Sequence, residues 1–217
     1  MYPYVKRGID FILALLGIVL LLPVWIILVL AIKLDSEGPV VFKQKRVGIH
    51  KTHFMILKFR TMKVDTPNDV ATHLLQNPEQ YITRVGRFLR KTSLDELPQI
   101  INILKGDMAI VGPRPALWNQ YDLIAERDKY GANDVRPGLT GWAQLNGRDE
   151  LNNVEKARLD GVYIEKQSFG MDFKCFVITF FKAFRGDGVV EGAGKFTEDE
   201  FGGALAGQKP AEGDKKK

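Results

Sequence analysis

One uncharged apolar segment constrains this chain more than any other feature: residues 11–32 read FILALLGIVLLLPVWIILVLAI. As a straight α-helix, these roughly 22 residues would measure about 33 Å, which is enough to cross the hydrocarbon core of a bilayer. A cleaved signal peptide fits less well, because its apolar region usually holds only about 7–15 residues. The segment therefore predicts a lasting association with a membrane.

Pro23 lies inside this segment, where it removes one backbone hydrogen bond and predicts a kink or a break. Two topologies stay open from the residues: a kinked helix that spans the bilayer, or a broken helix that enters one leaflet and returns. Length favours the first, whereas cations on both sides of the segment pull both ends toward the cytoplasm and favour the second. These cations are Lys6, Arg7, Lys33, Lys43, Lys45 and Arg46.

The charge balance restricts the partners without selecting one. The 217 residues carry a net charge of +5, which suits phosphate groups, nucleic acid or anionic lipid headgroups equally well. Cys175 is the only cysteine, so an internal disulfide is excluded. The three histidines form no zinc-ligand spacing with it, and zinc chemistry is not expected.

Periodicity predicts several elements after the apolar segment. Residues 39–62 contain two β-rich runs typical of a hairpin, and one face of the second run carries Lys58. The pattern of residues 81–92 predicts an amphipathic helix. Its basic side, which includes Arg90, either faces solvent or lies on an anionic membrane surface. The stretch LPQIINILKGDM (residues 97–108) predicts a short apolar helix ended by Gly106. The pattern of residues 169–186 predicts an apolar helix, packed in the core or at the membrane interface. Residues 64–80 predict a loop with a short helix near 70–76.

The adjacent carboxylates Asp95 and Glu96, in KTSLDELPQI, allow two interpretations. Ser93 and Glu96 match the S-x-x-E capping box that begins a helix. That box fits imperfectly, because Pro98 would fall inside the helix and remove a hydrogen bond. The alternative is a reactive pair, in which one carboxylate is a nucleophile and the other a metal ligand or acid–base partner.

Two further stretches contain residues that suit binding. In VGPRP, Pro113 and Pro115 fix the backbone around Arg114, which indicates either a plain rigid turn or an arginine preorganised for phosphate. The stretch VRPGLTGWAQLNGRD (residues 135–149) holds three glycines, two arginines and a tryptophan, and it predicts a shaped binding loop rather than a strand.

The motifs KFRTM, LRKTSLDELPQIINILKGDM, VGPRP and VRPGLTGWAQLNGRD follow the N-terminal apolar segment in this order. Together they resemble the small monotopic phosphoglycosyl transferases of bacteria, also called initiating sugar transferases. The similarity runs from about Lys6 to Arg185, which is nearly the whole chain before its C-terminal tail.

This resemblance implies an enzyme that transfers a sugar 1-phosphate from a UDP-sugar to polyprenyl (undecaprenyl) phosphate, releases UMP and begins a bacterial surface glycan. It implies Mg²⁺ as cofactor and a covalent phospho-sugar intermediate on Asp95, with Glu96 as catalytic partner and metal ligand. The expected phosphate-binding residues are Lys58, Arg90, Arg114, Arg136 and Arg148. The expected sugar or nucleotide contacts are Trp142 and Gln144.

The resemblance also implies a mixed α/β fold. Residues 1–35 would form a re-entrant membrane helix broken at Pro23, and residues 36–194 a compact, mainly helical cytoplasmic domain with a small β-hairpin and interfacial amphipathic helices. Residues 195–217 predict a disordered tail. The expected location is the cytoplasmic face of the bacterial inner membrane, with membrane lipids as partners, no nucleic acid, and homo-oligomer formation left open. The rival hypothesis is a non-catalytic, membrane-anchored basic domain that binds lipid or nucleic acid.

Overall fold

The computed structural model describes residues 2–66, 78–147 and 151–185, and this part of the chain is mainly helical. The helices are α1 (Tyr2–Asp35), α2 (Arg84–Lys91), α3 (Gln99–Lys105), α4 (Tyr121–Asp128), α5 (Trp142–Leu145), α6 (Asn153–Glu165) and α7 (Phe169–Arg185). The strands are β1 (Val41–Val47), β2 (His53–Phe59), β3 (Ala109–Val111) and β4 (Gly138–Thr140). A mixed fold with more helix than strand is thereby confirmed.

The predicted hairpin is present. Strands β1 and β2 pair antiparallel, with Phe42 opposite Lys58 and Arg46 opposite Phe54. Directly opposed residues share one face of a sheet, so Arg46 lies on the same face as Lys58. On this face Ile56 is buried, and Arg46 and Lys58 line the pocket described below together with it.

The stretch predicted as a binding loop contains a strand and a helical turn, which the sequence did not indicate. Strand β4 pairs in parallel with β3, aligning Ala109 with Gly138, and α5 follows directly. Backbone bonds from Ala109 to the carbonyl of Pro137 and from Gly112 to that of Thr140, both 2.8 Å, continue the pairing. Long-range pairing therefore overrides a local composition that is poor in strand formers.

The apolar N-terminal segment forms α1 as one helix that continues through Pro23 rather than as two segments divided there. Among the described residues it is the one helix long and apolar enough to cross a membrane. By the usual rise per residue it would extend about 51 Å. The re-entrant topology stays a prediction.

Both halves of α1 pack against the same domain. Near its start, Lys6 Nζ lies 2.6 Å from Asp172 Oδ2 of α7, and Arg7 donates to the carbonyls of Ile103 and Leu104 in α3. At its end, the carboxylate of Asp35 accepts a 3.0 Å hydrogen bond from the backbone N–H of Val85. Other α1 residues enter two clusters of the hydrophobic core, which are completed by β2, α2 and α3.

The remaining surface of α1 is apolar and exposed. Its exposed large side chains include Phe11, Ile12, Leu13, Leu15, Leu16, Val19, Leu20, Leu22, Ile26, Ile27 and Leu30. Helix α7 has the same two-sided character: Asp172 and Cys175 are buried, whereas five of its phenylalanines are exposed. They are Phe169, Phe173, Phe176, Phe180 and Phe181. The core interpretation is thus confirmed for one side of α7, and the interfacial interpretation stays a prediction for its exposed side.

The predicted α2 and α3 are confirmed, and Gly106 ends α3 in the left-handed region at φ 92°. The short helix near residues 70–76, Arg148 and the C-terminal tail all lie outside the described residues.

Candidate active site

The Asp95–Glu96 pair lies in a short 3₁₀ turn, Leu94–Glu96, between α2 and α3. The capping box predicted from S-x-x-E is wrong. Ser93 has a left-handed backbone (φ 56°) and makes no capping hydrogen bond, and α3 begins only at Gln99, after Pro98. The proline thus precedes the helix, where it removes no internal hydrogen bond. Both carboxylates are therefore available for contacts with other parts of the fold.

Glu96 is held by two cations. Its Oε1 accepts a 2.8 Å hydrogen bond from Lys58 Nζ of β2 and a 3.3 Å bond from Arg114 Nη2. Asp95 is bound more loosely, because its Oδ2 lies 3.7 Å from the same Lys58 Nζ. Both carboxylate side chains are only 13% exposed. The geometry thus separates a fixed carboxylate, Glu96, from a less restrained one, Asp95.

The environment of Asp95 raises the pKa of its carboxyl group. Burial is the largest cause, and the charge of Glu96 acts in the same direction, whereas Lys58, Arg90 and Arg114 oppose the shift. Removal from water disfavours the ionised form, and a neighbouring carboxylate does the same. The fold therefore keeps a carboxylate in surroundings where its charge is costly, which is common at reactive sites.

A stability measurement tests this assignment. A carboxyl group with a raised folded-state pKa binds its proton more tightly in the folded chain than in the unfolded chain. Stability should therefore fall as pH rises from the unfolded value, about 3.9, through the higher folded value. We expect Asp95→Asn to be more stable than wild type at pH 7, with the difference vanishing near pH 4.

Thermal unfolding at a series of pH values measures this difference. The exposed Asp134, whose side chain is 70% exposed, provides the matched Asp→Asn control and should give a small difference at every pH. A variant Asp95→Asn that is less stable than wild type at pH 7 would contradict the assignment.

Arg90 reaches the site from α2. Its Nε donates a 3.1 Å hydrogen bond to Thr61 Oγ1, and its charge acts on Asp95. Gly86, one helical turn earlier, lies against the backbone of Thr61 so closely that a Cβ atom would collide with the Thr61 carbonyl. This close approach docks α2 onto the end of the hairpin and fixes the position of Arg90 there.

The backbone around Arg114 is held from two sides. Arg127 Nη1 of α4 donates a 2.9 Å hydrogen bond to the Arg114 carbonyl, and Arg46 Nη1 donates a 3.0 Å bond to the carbonyl of Pro115. Arg127 is itself fixed by Asp160 of α6, with Nη2 to Oδ2 at 2.6 Å and both side chains almost fully buried. The rigidity expected from the two prolines is thus reinforced by a buried ion pair.

A pocket opens beside the pair, on the side of Lys58 and Arg114. Its lining consists of Arg46, Ile56, Lys58, Gln99, Arg114 and Pro115. Arg46 and Gln99 were not among the site residues predicted from the sequence. The hairpin register could have revealed Arg46, because antiparallel pairing places it on the face of Lys58. Gln99 has no comparable signal, since the buried position of its side chain depends on the turn at residues 94–96.

The other predicted site residues lie elsewhere. Arg136 Nε donates to the carbonyl of Gly106, at the opposite end of α3 from Gln99, about 10 Å away by helical rise. Trp142 packs against a core cluster, with Lys174 Nζ 5.0 Å from its ring centroid, and Gln144 Nε2 donates to the Leu139 carbonyl. The binding roles of these three residues stay predictions.

The arrangement suits a substrate that carries phosphate groups. Four cations, Lys58, Arg46, Arg90 and Arg114, act on two carboxylates, which leaves a positive surplus for an incoming anion. Within the described ranges there is no group of three His, Cys, Asp or Glu side chains that could hold a metal ion without further ligands. A metal at this site would need oxygen ligands from a substrate or water in addition to the two carboxylates.

Comparisons with known proteins agree with this chemistry. The sequence profile of the family described as "Bacterial sugar transferase" matches residues 1–186. The UDP-glucose:undecaprenyl-phosphate glucose-1-phosphate transferase of Escherichia coli (strain K12) is 45% identical over 187 residues, covering 82% of this chain and 40% of the relative. The uncharacterised sugar transferase EpsL of Bacillus subtilis (strain 168) is 39% identical over 173 residues, covering 80% of this chain and 83% of the relative.

A third relative is named for a different sugar. The UDP-N-acetylgalactosamine-undecaprenyl-phosphate N-acetylgalactosaminephosphotransferase of Aeromonas hydrophila is 38% identical over 190 residues, covering 85% of this chain and 44% of the relative. The chain therefore spans less than half of the E. coli and A. hydrophila relatives but most of the B. subtilis one.

Proposed function

Because the chain belongs to the bacterial sugar transferase family, we propose that it transfers a sugar 1-phosphate from a UDP-sugar to undecaprenyl phosphate. The observation that carries the proposal is a pair of largely buried carboxylates, of which Glu96 pairs with both Lys58 and Arg114, and Asp95 with Lys58. A domain that only bound lipid or nucleic acid would gain nothing from two carboxylates whose mutual repulsion and burial are costly. The names of the relatives support the choice of donor and acceptor.

The proposed reaction has two steps. An Asp95 carboxylate oxygen attacks the β-phosphorus of the UDP-sugar, an Asp95–phosphate bond forms, and the bond to the UMP oxygen breaks, which releases UMP. A phosphate oxygen of undecaprenyl phosphate then attacks the same phosphorus, and the bond to Asp95 breaks. The looser ion pair of Asp95, 3.7 Å against the 2.8 Å contact of Glu96 with the same Lys58, supports Asp95 as the nucleophile.

The cations would neutralise charge that develops at the phosphorus. Two anionic substrates meet an anionic nucleophile, so fixed positive groups stabilise the transition state more than the ground state. Arg114 is preorganised by its backbone contacts and Arg90 by Thr61, so neither loses much entropy when a phosphate binds. Lys58, Arg90 and Arg114 are the phosphate-binding residues that this geometry supports best.

Mg²⁺ is the cofactor that we propose. This ion commonly binds through one or two carboxylates together with substrate phosphates and water, and the adjacent Asp95 and Glu96 provide that donor set. Glu96 is the assigned protein ligand. When bound, the ion would supply further positive charge to the diphosphate of the donor.

The direct test of the function is release of UMP. Purified protein would be given a panel of UDP-sugars with Mg²⁺, with and without undecaprenyl phosphate. We expect repeated turnover with one donor or a small set of donors only when the acceptor is present, and no more than one UMP per protein molecule without it. The sugar is left open because the relatives are named for glucose and for N-acetylgalactosamine. No release with any donor would contradict the proposal.

We also propose that α1 is re-entrant, so that both its ends lie on the same side of the inner membrane. The catalytic domain then lies on the cytoplasmic face. Contacts from Lys6 to Asp172 at one end of α1 and from Asp35 to Val85 at the other support this topology. A helix that crossed the bilayer would separate its two ends by the whole membrane, and a domain on one side could not hold both.

Cysteine labelling tests this topology, because the natural background is low. Cys175 is fully buried, and burial raises its thiol pKa to about 11, which disfavours the reactive thiolate. Tyr4 is 85% exposed near the start of α1, and Lys129 is an exposed residue of the catalytic domain. In spheroplasts, a membrane-impermeant maleimide should label neither Tyr4→Cys nor Lys129→Cys, and it should label both after permeabilisation. Labelling of Tyr4→Cys alone in sealed spheroplasts would contradict re-entry.

A further inference from the structure

Two residues that line the pocket beside Asp95 and Glu96 each carry a buried hydrogen-bond donor without an acceptor among the described residues. Gln99 is only 2% exposed, and its Nε2 group makes no hydrogen bond within the described residues. The Nε atom of Arg46, a half-buried residue, is also buried and also has no hydrogen-bond partner in this part of the chain. Both residues line the pocket, together with Lys58 and Arg114.

Unpaired buried donors are uncommon and costly. More than nine-tenths of buried polar groups in folded proteins have a partner, and leaving one without costs on the order of 1–3 kcal/mol. Two such donors at the wall of one pocket, next to two further cations, indicate that the missing acceptor enters from outside. The pocket offers donors from four side chains, so an oxyanion complements it.

The position of Arg46 is fixed independently of any ligand. Its Nη1 donates to the Pro115 carbonyl at 3.0 Å and its Nη2 to Gln44 Oε1 at 2.6 Å. These two bonds fix the plane of the guanidinium and therefore the orientation of its Nε–H. Burial, and next the neighbouring Arg114, lower the pKa of Arg46 to about 10, so the guanidinium stays charged at neutral pH. Gln99 is fixed by its place at the start of α3, directly after Pro98.

We propose that Gln99 and Arg46 form an oxyanion subsite that binds a non-bridging phosphate oxygen of a substrate beside Asp95. The inference rests on the proposed function and adds two substrate-binding residues to it. The oxygen belongs either to the diphosphate of the UDP-sugar or to the phosphate of the lipid acceptor. A neutral amide is suited to this position, because it donates a hydrogen bond without forming an ion pair with Glu96.

Kinetics of Gln99 variants separate these two sources. With a covalent intermediate, kcat/KM for the UDP-sugar reports the first step and kcat/KM for undecaprenyl phosphate reports the second. Gln99→Met removes the donor, and Gln99→Glu replaces it with a negative charge. We expect a loss of about 10-fold or more for Gln99→Met, as for a hydrogen bond to a charged group, and a larger loss for Gln99→Glu. A loss confined to one substrate identifies the source, and a loss for both identifies a shared subsite.

Gln120→Glu is the matched control. Gln120 directly precedes α4, and its Oε1 accepts a hydrogen bond from the backbone N–H of Leu117. A carboxylate oxygen can accept the same bond. This variant should stay within about 2-fold of wild type, as expected for a substitution that preserves its hydrogen bond. Gln99→Met with unchanged kcat/KM for both substrates would overturn the subsite.

Binding of pyrophosphate tests the subsite without turnover. Pyrophosphate should raise the Tm of the full-length wild type and of Gln120→Glu, and the shift should be lost in Gln99→Glu. This result would support the subsite even if wild type released no UMP, an outcome that would contradict only the proposed function. If both Gln99 variants lowered the Tm, lost activity equally and kept the pyrophosphate shift, Gln99 would have a structural role and the proposal would fail.

Discussion

Replacing Asp95 by Asn is expected to lower UMP release by about 10³-fold or more, because the amide cannot act as the nucleophile that forms the bond to the β-phosphorus. The two side chains have nearly the same shape, so Lys58 and Glu96 should keep their 2.8 Å contact. The measurement is the rate of UMP release with saturating donor and acceptor. This is the largest effect on activity that the structure predicts.

Two controls show whether the substitution changes only the reaction and leaves the rest of the protein intact. Asp95→Asn should sediment with membranes as wild type does, because the exposed apolar surfaces of α1 and α7 are unchanged. Asp134→Asn, the same substitution at an exposed residue, should retain full turnover. Turnover of Asp95→Asn within about 10-fold of wild type would contradict Asp95 as nucleophile, because an amide cannot replace a carboxylate in covalent catalysis.

Replacing Arg127 by Met is expected to cause the largest loss of stability. Arg127 and Asp160 form an ion pair whose side chains are 6% and 1% exposed, and the substitution leaves the Asp160 carboxylate buried without its partner. Breaking a buried pair in this way costs about 3–5 kcal/mol. For a domain of this size, the corresponding fall in Tm is roughly 6–20 °C. Thermal unfolding of the purified variant measures it.

The double variant Arg127→Met/Asp160→Leu separates stability from catalysis. Apolar replacement of both partners should recover much of the lost Tm. Turnover should stay low, because the Arg114 carbonyl still lacks the 2.9 Å hydrogen bond from Arg127. Lys51→Ala is the matched control, because it breaks an exposed ion pair with Asp128 and should cost no more than about 1 kcal/mol. Full recovery of activity in the double variant would show that Arg127 does not position Arg114.

Much of the fold follows from local sequence patterns. The hairpin, α2, the glycine-ended α3 and the amphipathic α7 all lie where hydrophobic periodicity and turn residues place them. At the site, the sequence motifs selected Asp95, Glu96, Lys58, Arg90 and Arg114, and the fold brings these five residues together. Their roles as nucleophile and phosphate ligands came from a family resemblance and from charge, and they are tested only by the experiments described above.

The remaining features depend on contacts that are distant in sequence. The pattern S-x-x-E is the same in a capping box and in the observed 3₁₀ turn, and only the tertiary pairing of Glu96 with Lys58 and Arg114 distinguishes them. The support of Arg114 by Arg127 and Asp160 joins residues on two helices that the sequence analysis did not predict. Strand β4 likewise exists because β3 lies beside it.

Helix α1 packs against two of the elements that carry the candidate site residues. Ala14 of α1 packs with Ile56 of β2 and Ile100 of α3, and these two elements also carry Lys58 and Gln99. The apolar helix is thus part of the core that supports the active site, in addition to its predicted contact with the membrane. For the proposed membrane-lipid acceptor, this arrangement would hold the proposed nucleophile, Asp95, at a fixed position relative to the bilayer.

The proposed covalent intermediate on Asp95 can be detected by radiolabelling the protein itself. Wild-type protein would be incubated with a UDP-sugar that carries a radiolabel on its β-phosphorus, without acceptor. We expect label on the protein together with an equal amount of released UMP, loss of the label when undecaprenyl phosphate is added, and no label on Asp95→Asn. An active enzyme that releases UMP only when the acceptor is present, and never becomes labelled, would rule out a covalent intermediate on Asp95.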